Sequence, residues 1–467
     1  MAADHQPHYP LDPSLVAAQL AADPRVAQAK KLLDEAEKEH QKKLTAIRPV
    51  NPKLKMSYSQ MLADFSNYRS IPLWFPYIGS GIGHGPFVEL ADGSVKYDFI
   101  CGIGPHFFGH SHPLITETGI DSAISNTVMQ GNLQQNVDSL ELTKTLLDLS
   151  GLDHCFLSTS GAMANENALK LAFQAKFPAY RVLAFEKCFV GRSLAVSQIT
   201  DKPSFREGLP PMLHVDYLPY FNPHHPEQST RQAIQAFEQA IHRYPKQHAL
   251  ICFELVQGEA GFYAGTKEFF KEMMELARHH GIAVFADEVQ SFARTPELFA
   301  FQYYKLQELV DLVTIGKISQ VCATLFTKEY KPKPGLLSQT FTGSTSAIKA
   351  SLAILKELVH GGYYGPEGKI AALHRYFVEH LSRLSEKYPD LIQGPYGVGC
   401  MVAFTAYGGD NKKTTDFVHR LFEAGIISFI AGSDPMRVRF LLPVAALTHR
   451  HIEEAMKIIE QTLKESH

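Results

Sequence analysis

Apolar residues recur at helical spacing near the start of the chain. Between residues 13 and 43 they stand three or four positions apart among charged side chains, which predicts an amphipathic helical segment. Because proline interrupts a helix interior, Pro24 predicts that this segment is split into two helices. Residues 71–86, rich in Pro, Gly and aromatic side chains, predict an irregular connection, in which we interpret the single tryptophan, Trp74, as a packing residue.

Short apolar runs typical of strands dominate the middle of the chain. Two such runs flank Asp92-Gly93 within residues 87–99 and predict a β-hairpin. The predicted strands that follow cover residues 154–157, 181–185, 249–256, 282–286 and 312–315, and the helices between them end at residue 175 or cover residues 230–244 and 267–280. This alternation predicts an α/β fold with a mainly parallel sheet and helices on both faces. Ligands of such sheets bind beyond the carboxyl ends of the strands.

Long helical patterns replace this alternation after residue 345. They cover residues 347–358, 369–387, 414–424 and 449–464, with a few strand-like runs between them. The change predicts three parts of the chain. These are an N-terminal helical arm and connection (residues 1–86), a large α/β domain (residues 87–345) and a smaller α+β domain (residues 346–467).

The composition excludes several classes of protein. The 467 residues carry 45 Lys and Arg against 48 Asp and Glu, a net charge of −3, so we expect no nucleic-acid partner. No apolar run approaches the ~20 residues of a membrane-spanning helix, so we expect no membrane partner. Six widely spaced cysteines argue against disulfides, and the histidines show no metal-ligand spacing. Since the first residues also lack a signal-peptide pattern, we expect a cytoplasmic protein without a metal site.

Three candidate sites follow predicted strands. Residues 158–166, rich in small and hydroxyl side chains, run into a helix and could form a phosphate cradle or an ordinary helix cap. Asp287 ends a buried strand and needs a cationic partner, although a helix cap or a structural ion pair would also explain it. Lys317 ends the next strand, where a lysine is ordinarily solvated. Together the three sites supply the anchors that pyridoxal 5'-phosphate needs for its aldehyde, its ring nitrogen and its phosphate.

From about residue 87 onward, the chain resembles the class III, ω-type aminotransferases, which are fold-type I pyridoxal-phosphate enzymes. Such enzymes have a large domain with a seven-stranded type of sheet and a smaller C-terminal domain. The resemblance is carried by Val95-Lys-Tyr-Asp-Phe, Gly109-His110-Ser-His112-Pro113, Ser160-Gly-Ala-Met-Ala-Asn-Glu166, Phe189-Val-Gly-Arg192-Ser, Glu254-Leu-Val-Gln-Gly-Glu259-Ala-Gly261, Asp287-Glu-Val-Gln290, Gly316-Lys317, Gly343-Ser-Thr345 and Arg439-Phe-Leu-Leu-Pro443.

The resemblance implies a role for each matching residue. Lys317 would bind the cofactor covalently, and Asp287 would keep its pyridine nitrogen protonated; these are the two expected catalytic residues. The other expected cofactor contacts are Ser160, Gly161 and Ala162 at the phosphate, Phe189 and Val289 on the two faces of the ring, and Gln290 at the phenolic oxygen.

Two further implications concern assembly and substrate. Ser344 and Thr345 resemble residues that bind the phosphate of the neighbouring subunit, which implies a homodimer with shared active sites. Glu259 and Arg439 resemble a switch pair, in which Arg439 is masked while a distal amine binds and clamps the α-carboxylate of 2-oxoglutarate when it is freed. Arg437 would share the face of a strand with Arg439, so geometry alone does not rank them, and the motif favours Arg439.

The sequence departs from the usual family pattern at three places. Val190 replaces a histidine, Leu255 replaces a proline, and residues 320–323 replace a Gly-Gly-x-Pro run. These changes bear on substrate identity more than on cofactor binding. The Gln320-Val321-Cys322 run is similar to the lysine 6-aminotransferase and 4-aminobutyrate aminotransferase branch.

We therefore expect an aminotransferase that moves the ω-amine of a diamino or ω-amino acid to 2-oxoglutarate by a ping-pong mechanism. Its partners would be a small amino donor and a keto-acid acceptor. Two alternatives stay open: a racemase or aminomutase on the same fold, and a catalytically silent scaffold.

Overall fold

The computed structural model describes residues 7–126 and 129–465. These residues pack into two compact units. Unit 1 contains residues 121–371 with the short segments 7–15 and 397–399, and unit 2 contains residues 16–120, 372–396 and 400–465. The domain boundaries at residues 86 and 345 stay a prediction.

Fourteen α-helices and nineteen strands are found among the described residues. The helices are α1 (Val16–Ala21), α2 (Pro24–Gln41), α3 (Lys55–Arg69), α4 (Pro113–Ala123), α5 (Val137–Ser150), α6 (Gly161–Lys176), α7 (Val196–Ile199), α8 (Pro226–Arg243), α9 (Lys267–His279), α10 (Ala300–Tyr303), α11 (Thr345–His360), α12 (Lys369–Lys387), α13 (Asn411–Ala424) and α14 (His449–Lys464). The strands are β1 (Gly79–His84), β2 (Phe87–Leu90), β3 (Val95–Asp98), β4 (Met129–Gln130), β5 (His154–Ser158), β6 (Arg181–Phe185), β7 (His214–Leu218), β8 (His248–Phe253), β9 (Val256–Gln257), β10 (Tyr263–Ala264), β11 (Ala283–Glu288), β12 (Leu312–Ile315), β13 (Cys322–Phe326), β14 (Gly343–Ser344), β15 (Ile392–Val398), β16 (Met401–Ala406), β17 (Ile426–Ile427), β18 (Phe429–Ala431) and β19 (Arg437–Leu441).

The N-terminal helices divide where the sequence predicts. Helix α2 begins at Pro24, and the side chain of Asp23 caps it by accepting a hydrogen bond from the Arg25 N–H. This confirms the predicted split. Trp74 stacks on His419 with ring centroids 4.5 Å apart and also contacts Phe429, so it packs within unit 2.

The predicted hairpin is confirmed, because β2 and β3 pair antiparallel across Asp92-Gly93. The prediction of an irregular connection over residues 71–86 is wrong for its last part, where β1 pairs antiparallel with β2. The β1 sequence Gly-Ser-Gly-Ile-Gly-His lacks the apolar alternation of a strand. Main-chain hydrogen bonds to β2 hold β1 in place, and such bonds leave no trace in the hydrophobic pattern of the sequence.

A seven-stranded sheet forms the centre of unit 1. Its strand order is β5-β13-β12-β11-β8-β6-β7, and neighbouring strands from β12 to β7 run parallel. Strand β13 runs antiparallel to both of its neighbours. The predicted α/β fold with a mainly parallel sheet is thereby confirmed. Strands β7 and β13 are absent from the prediction.

Amphipathic helices cover this sheet. Helix α9 is capped by Thr266, whose hydroxyl accepts a hydrogen bond from the Phe269 N–H, and it buries one apolar face. The residues on that face are Phe269, Phe270, Met273, Met274 and Ala277. The helix begins at Lys267 as predicted, because cap and periodicity agree there.

The C-terminal part of unit 2 contains a smaller sheet. Its strand order is β15-β16-β19-β18, with β19 antiparallel to both β16 and β18. Helices α12 and α14 have the bounds that the sequence predicts, and α11 and α13 begin two or three residues earlier. Strand β17 pairs parallel with β3 in a separate four-stranded sheet.

Candidate active site

The carboxyl ends of two adjacent parallel strands bring Asp287 and Lys317 to one edge of the sheet. Asp287 lies near the end of β11 and is in register with Thr314 of β12. Gly316 and Lys317 follow β12 directly. The cationic side chain of Lys317 is close enough to favour the ionised form of Asp287 and so to lower its pKa.

Asp287 is a buried carboxylate with two hydrogen-bond donors and a hydroxyl oxygen around it. One carboxylate oxygen accepts from Asn165 Nδ2 at 2.7 Å. The other accepts from the Val289 N–H at 3.0 Å and faces the Thr314 hydroxyl at 3.5 Å. Burial raises the pKa of Asp287 to about 6, against the lowering effect of these donors and of Lys317. With this pKa the carboxylate form is favoured at neutral pH, although the residue is only 7% exposed.

Asn165 is a site residue to which the sequence assigned no role. It lies on α6 and is buried. Besides Asp287, its amide nitrogen donates to the Val190 carbonyl at 2.6 Å, and its amide oxygen accepts from the Thr314 hydroxyl at 2.6 Å. It stands within the motif at residues 160–166, but an asparagine inside a helix gives no sequence signal for these contacts.

Lys317 adopts a strained backbone conformation. Its φ is +56°, in the left-handed region that costs a non-glycine residue about 1–2 kcal/mol. It opens a short 3₁₀ turn, Lys317–Ser319, after Gly316. A Cβ on Gly316 would lie 2.9 Å from Cys322 Sγ and 3.2 Å from Val289 Cγ1, so a larger residue would force these side chains to move. Strain of this kind is typical of functional sites, where the surrounding structure holds the residue in place.

The N-terminus of α6 lies where the sequence predicts a phosphate cradle or a helix cap. Ser160 is its N-cap, and its hydroxyl accepts a hydrogen bond from the Met163 N–H at 3.3 Å. A Cβ on Gly161 would lie 2.7 Å from Val289 Cγ1, so Val289 packs directly on this glycine. Ala162 lies beside Gly191, because a Cβ built on Gly191 would lie 3.3 Å from the Cβ of Ala162. The free N–H groups of the first turn and the helix dipole suit a phosphate group.

Glu254 ties two loops of the site together, and sequence reasoning gave it no role. Its carboxylate accepts hydrogen bonds from the Phe189 N–H at 2.7 Å and the Gly258 N–H at 3.1 Å. Burial and the nearby charge of Asp287 raise the pKa of Glu254 to about 8, against these two donors. Gln290 packs on Gly258, where a Cβ would meet its Oε1 at 2.3 Å.

Three other expected residues lie in unit 1. Glu259 follows β9 and is half-buried. Ser344 caps α11 through its hydroxyl, and the buried Thr345 donates its hydroxyl to the Asn126 carbonyl at 2.7 Å. Helix α11, which begins at Thr345, contacts the 3₁₀ turn that carries Lys317.

Arg439 belongs to unit 2, in strand β19. Its guanidinium lies over the Phe429 ring, 5.5 Å from the ring centroid. Arg437, on the same strand, lies over the Tyr396 ring at 3.8 Å. Both arginines are buried, and each has an aromatic partner of its own.

These residues fit pyridoxal 5'-phosphate. They offer a buried carboxylate that could pair with a protonated ring nitrogen, a lysine beside it and a helix N-terminus suited to a phosphate. Gly161 and Gly316 both lie against Val289, which leaves an apolar side chain between cradle and lysine. Within residues 7–126 and 129–465, no cluster of three or more His, Cys, Asp or Glu could hold a metal ion, and no helix is long and apolar enough to cross a membrane.

Comparison with known proteins identifies one family and several related sequences. The family model described as class-III aminotransferase matches residues 80–463. Acetylornithine aminotransferase of Methanocaldococcus jannaschii is 29% identical over 402 residues, which cover 82% of this chain and 92% of that protein. The enzyme of the same name from Archaeoglobus fulgidus is 28% identical over 385 residues, covering 81% of this chain and 93% of that protein.

Solved structures share the fold. Lysine aminotransferase from M. tuberculosis superposes with a TM-score of 0.78 at 22% identity, covering 86% of this chain and 98% of that one. Ornithine aminotransferase from Toxoplasma gondii gives a TM-score of 0.77 at 21% identity, covering 87% of this chain and 95% of that one.

Proposed function

Because the chain belongs to the class III aminotransferases, which are fold-type I enzymes that use pyridoxal 5'-phosphate, we propose that it transfers the ω-amine of a diamino or ω-amino acid to 2-oxoglutarate. The observation that carries this proposal is the placement of Asp287 and Lys317 at the ends of two adjacent strands. The resident cofactor, when bound, supplies an electron sink for the substrate.

The residues of this chain would share the remaining work. Lys317 Nζ would hold the cofactor and move the proton at the reacting carbon of the substrate. Asp287 would hold the proton of the ring nitrogen, because its carboxylate is stabilised by two donors. The phosphate would lie at Ser160, Gly161 and Ala162, with Phe189 and Val289 on the ring faces and Gln290 at the phenolic oxygen.

The substrate class is proposed from the relatives and from the arginine in β19. The relatives are named for acetylornithine, lysine and ornithine. Arg439 is a permanent cation held over Phe429, suited to a carboxylate by its planar fork. By the family resemblance, Glu259 and Arg439 would be the residues that distinguish the amine donor from 2-oxoglutarate.

We also propose a cytoplasmic homodimer with shared sites, in which Ser344 and Thr345 serve the phosphate of the other subunit. Strand β14, which contains Ser344, pairs with β4. Near this ladder the side chain of Leu133 is fully exposed and that of Phe341 is more than half exposed. Exposed apolar side chains beside a site residue favour a subunit interface there. The six free cysteines suit a reducing compartment.

An absorbance experiment tests the proposed function. The purified protein is mixed with L-lysine, L-ornithine, N-acetylornithine, 4-aminobutyrate or L-alanine, first without and then with 2-oxoglutarate. We expect the yellow band of the bound cofactor to disappear with one ω-amino donor and to return with 2-oxoglutarate. Lys317→Ala, which cannot bind the cofactor covalently, is the control. Turnover without any keto acid would indicate a racemase or aminomutase, and a protein that never takes up the cofactor would be a silent scaffold.

A further inference from the structure

A chain of short hydrogen bonds lies behind the Asp287 carboxylate. The Thr314 hydroxyl donates to Asn165 Oδ1 at 2.6 Å, and Asn165 Nδ2 donates to Asp287 Oδ2 at 2.7 Å. The second hydrogen of the same nitrogen is directed to the Val190 carbonyl at 2.6 Å. Thr314, Asn165 and Val190 are all buried, so water does not compete for these bonds.

This series of hydrogen bonds fixes the orientation of the Asn165 amide. A flipped amide would turn its oxygen toward two acceptors, the Asp287 carboxylate and the Val190 carbonyl. Its nitrogen would then need the Thr314 hydroxyl as an acceptor instead of a donor. The observed orientation satisfies all three partners, so a donor is held permanently on Asp287 Oδ2.

The charges around Asp287 make a neutral donor important. The nearby cation Lys317 lowers the pKa of Asp287. The other titratable groups that interact with Asp287 do not stabilise its negative charge; they are Glu254, Glu288, Cys188, Cys252 and Cys322. Two of these, Glu254 and Glu288, are carboxyl groups with a pKa of about 8, and their negative charge opposes ionisation of Asp287 once they lose their protons. The neutral donors on Asn165 and Val289 are the other groups that stabilise the carboxylate.

We propose that Asn165, oriented by Thr314, is a positioning residue that holds the Asp287 carboxylate ionised and aimed at the cofactor ring nitrogen. This inference rests on the role proposed above for Asp287. Asn165 does not take part in proton transfer. It determines how strongly the carboxylate holds the ring-nitrogen proton, and so how well the bound cofactor withdraws electrons.

The test compares four variants of the full-length enzyme. Asn165→Ala removes the donor, and Thr314→Val removes the hydroxyl that orients it with little change of shape. Asn167→Ala is the matched control, because Asn167 is equally buried on the same helix but bonds to Ser158 Oγ at 3.3 Å instead of Asp287. Asp287→Asn removes the carboxylate itself and so reports on the proposed function.

Three quantities are measured for each variant: the affinity for added pyridoxal 5'-phosphate, the pH dependence of the absorbance of the bound cofactor, and kcat and KM for the amino donor. For Asn165→Ala we expect an affinity about tenfold to a hundredfold lower, as for loss of a hydrogen bond to a charged group. We also expect a displaced absorbance titration and a reduced kcat with KM nearly unchanged. Thr314→Val should shift the same quantities in the same direction by less, and Asn167→Ala should leave the titration in place.

The outcomes separate the inference from the proposed function. If Asp287→Asn abolishes activity while Asn165→Ala and Thr314→Val leave the absorbance titration and kcat unchanged, the inference is wrong and the proposed function stands. If Asp287→Asn is itself fully active, the role of Asp287 is wrong as well. If Asn165→Ala fails to fold, Thr314→Val decides: an unchanged titration in that variant overturns the inference.

Discussion

The carboxylate of Glu254 accepts a 2.7 Å hydrogen bond from the backbone N–H of Phe189, the residue proposed to cover one face of the cofactor ring. The other carboxylate oxygen accepts from the Gly258 N–H, one residue before Glu259. One buried side chain therefore positions two loops that carry proposed site residues.

For Glu254→Ala we expect a free energy of unfolding lower by about 2–4 kcal/mol, because a part-buried and a buried N–H group lose their acceptor and a cavity forms. We also expect weaker binding of pyridoxal 5'-phosphate, since Phe189 loses its anchor. Urea unfolding of the cofactor-free protein and a cofactor titration measure the two effects. Glu272→Ala, at an exposed position of α9, should change stability by less than about 0.5 kcal/mol. Equal losses in both variants would contradict the anchoring role.

Glu288 gives stability a defined dependence on pH. Burial raises its pKa to about 8, although its carboxylate accepts from the N–H groups of Ala300 and Phe301 at 2.7 and 2.8 Å. Between pH 4.5 and 8 the folded state keeps a proton that the unfolded state releases, so this group stabilises the fold less as pH rises. The difference in the free energy of unfolding between the wild type and Glu288→Gln should therefore shrink from pH 5 to pH 8, by roughly 1.4 kcal/mol per pH unit at most.

Urea unfolding of the two cofactor-free proteins at several pH values gives this difference directly. Comparing the variant with the wild type cancels the contribution of the histidines, which both proteins share. A difference that is constant from pH 5 to pH 8 would show that the pKa of Glu288 is not raised by folding.

Gly161 is tightly packed against Val289, and this contact can be tested by substitution. For Gly161→Ala we expect a loss of about 1–3 kcal/mol in the free energy of unfolding, since the new Cβ would lie 2.7 Å from Val289 Cγ1. Adding Val289→Ala should recover part of this loss, because it removes the methyl groups that clash. Gly119→Ala in α4, where a Cβ would meet nothing within 4 Å, should be neutral or stabilising. Additive losses in the double variant would argue against a direct contact.

The proposed dimer interface is tested at Leu133. For Leu133→Asp we expect at least a tenfold higher dimer dissociation constant, because a charge would be buried without a partner. Sedimentation velocity over a range of protein concentrations measures this constant. Phe177→Asp is the control, since Phe177 is also an exposed apolar residue but follows α6. If both variants dissociate to the same extent, Leu133 does not mark the interface.

Sequence patterns predicted the helices and strands that can be recognised within one continuous segment of sequence. Helices α12 and α14 follow a strong helical period over many residues, so their bounds match the prediction. The short strands β7 and β13 were missed, because five-residue apolar or mixed runs do not distinguish a strand from a loop. Their pairing depends on neighbours far away in the chain, which no window of sequence contains.

The residues of the candidate site likewise fall into those that the sequence predicted and those that it did not. Asp287, Lys317 and the small residues at 158–166 were predicted because each follows a recognisable strand. Asn165 and Glu254 received no role, because their contacts are made to Val190, Thr314 and Phe189 on other elements. Residue type alone does not indicate which buried polar groups meet in the fold.

Trp74, the only tryptophan of the chain, packs on His419 and Phe429 within unit 2, whereas the proposed cofactor residues lie in unit 1. Indole fluorescence therefore reports on one unit, and the colour of the bound cofactor reports on the other. A single denaturation experiment with both optical signals can thus follow the two units separately. Coincident curves would identify one cooperative folding system, and separated curves would show that one unit melts while the other persists.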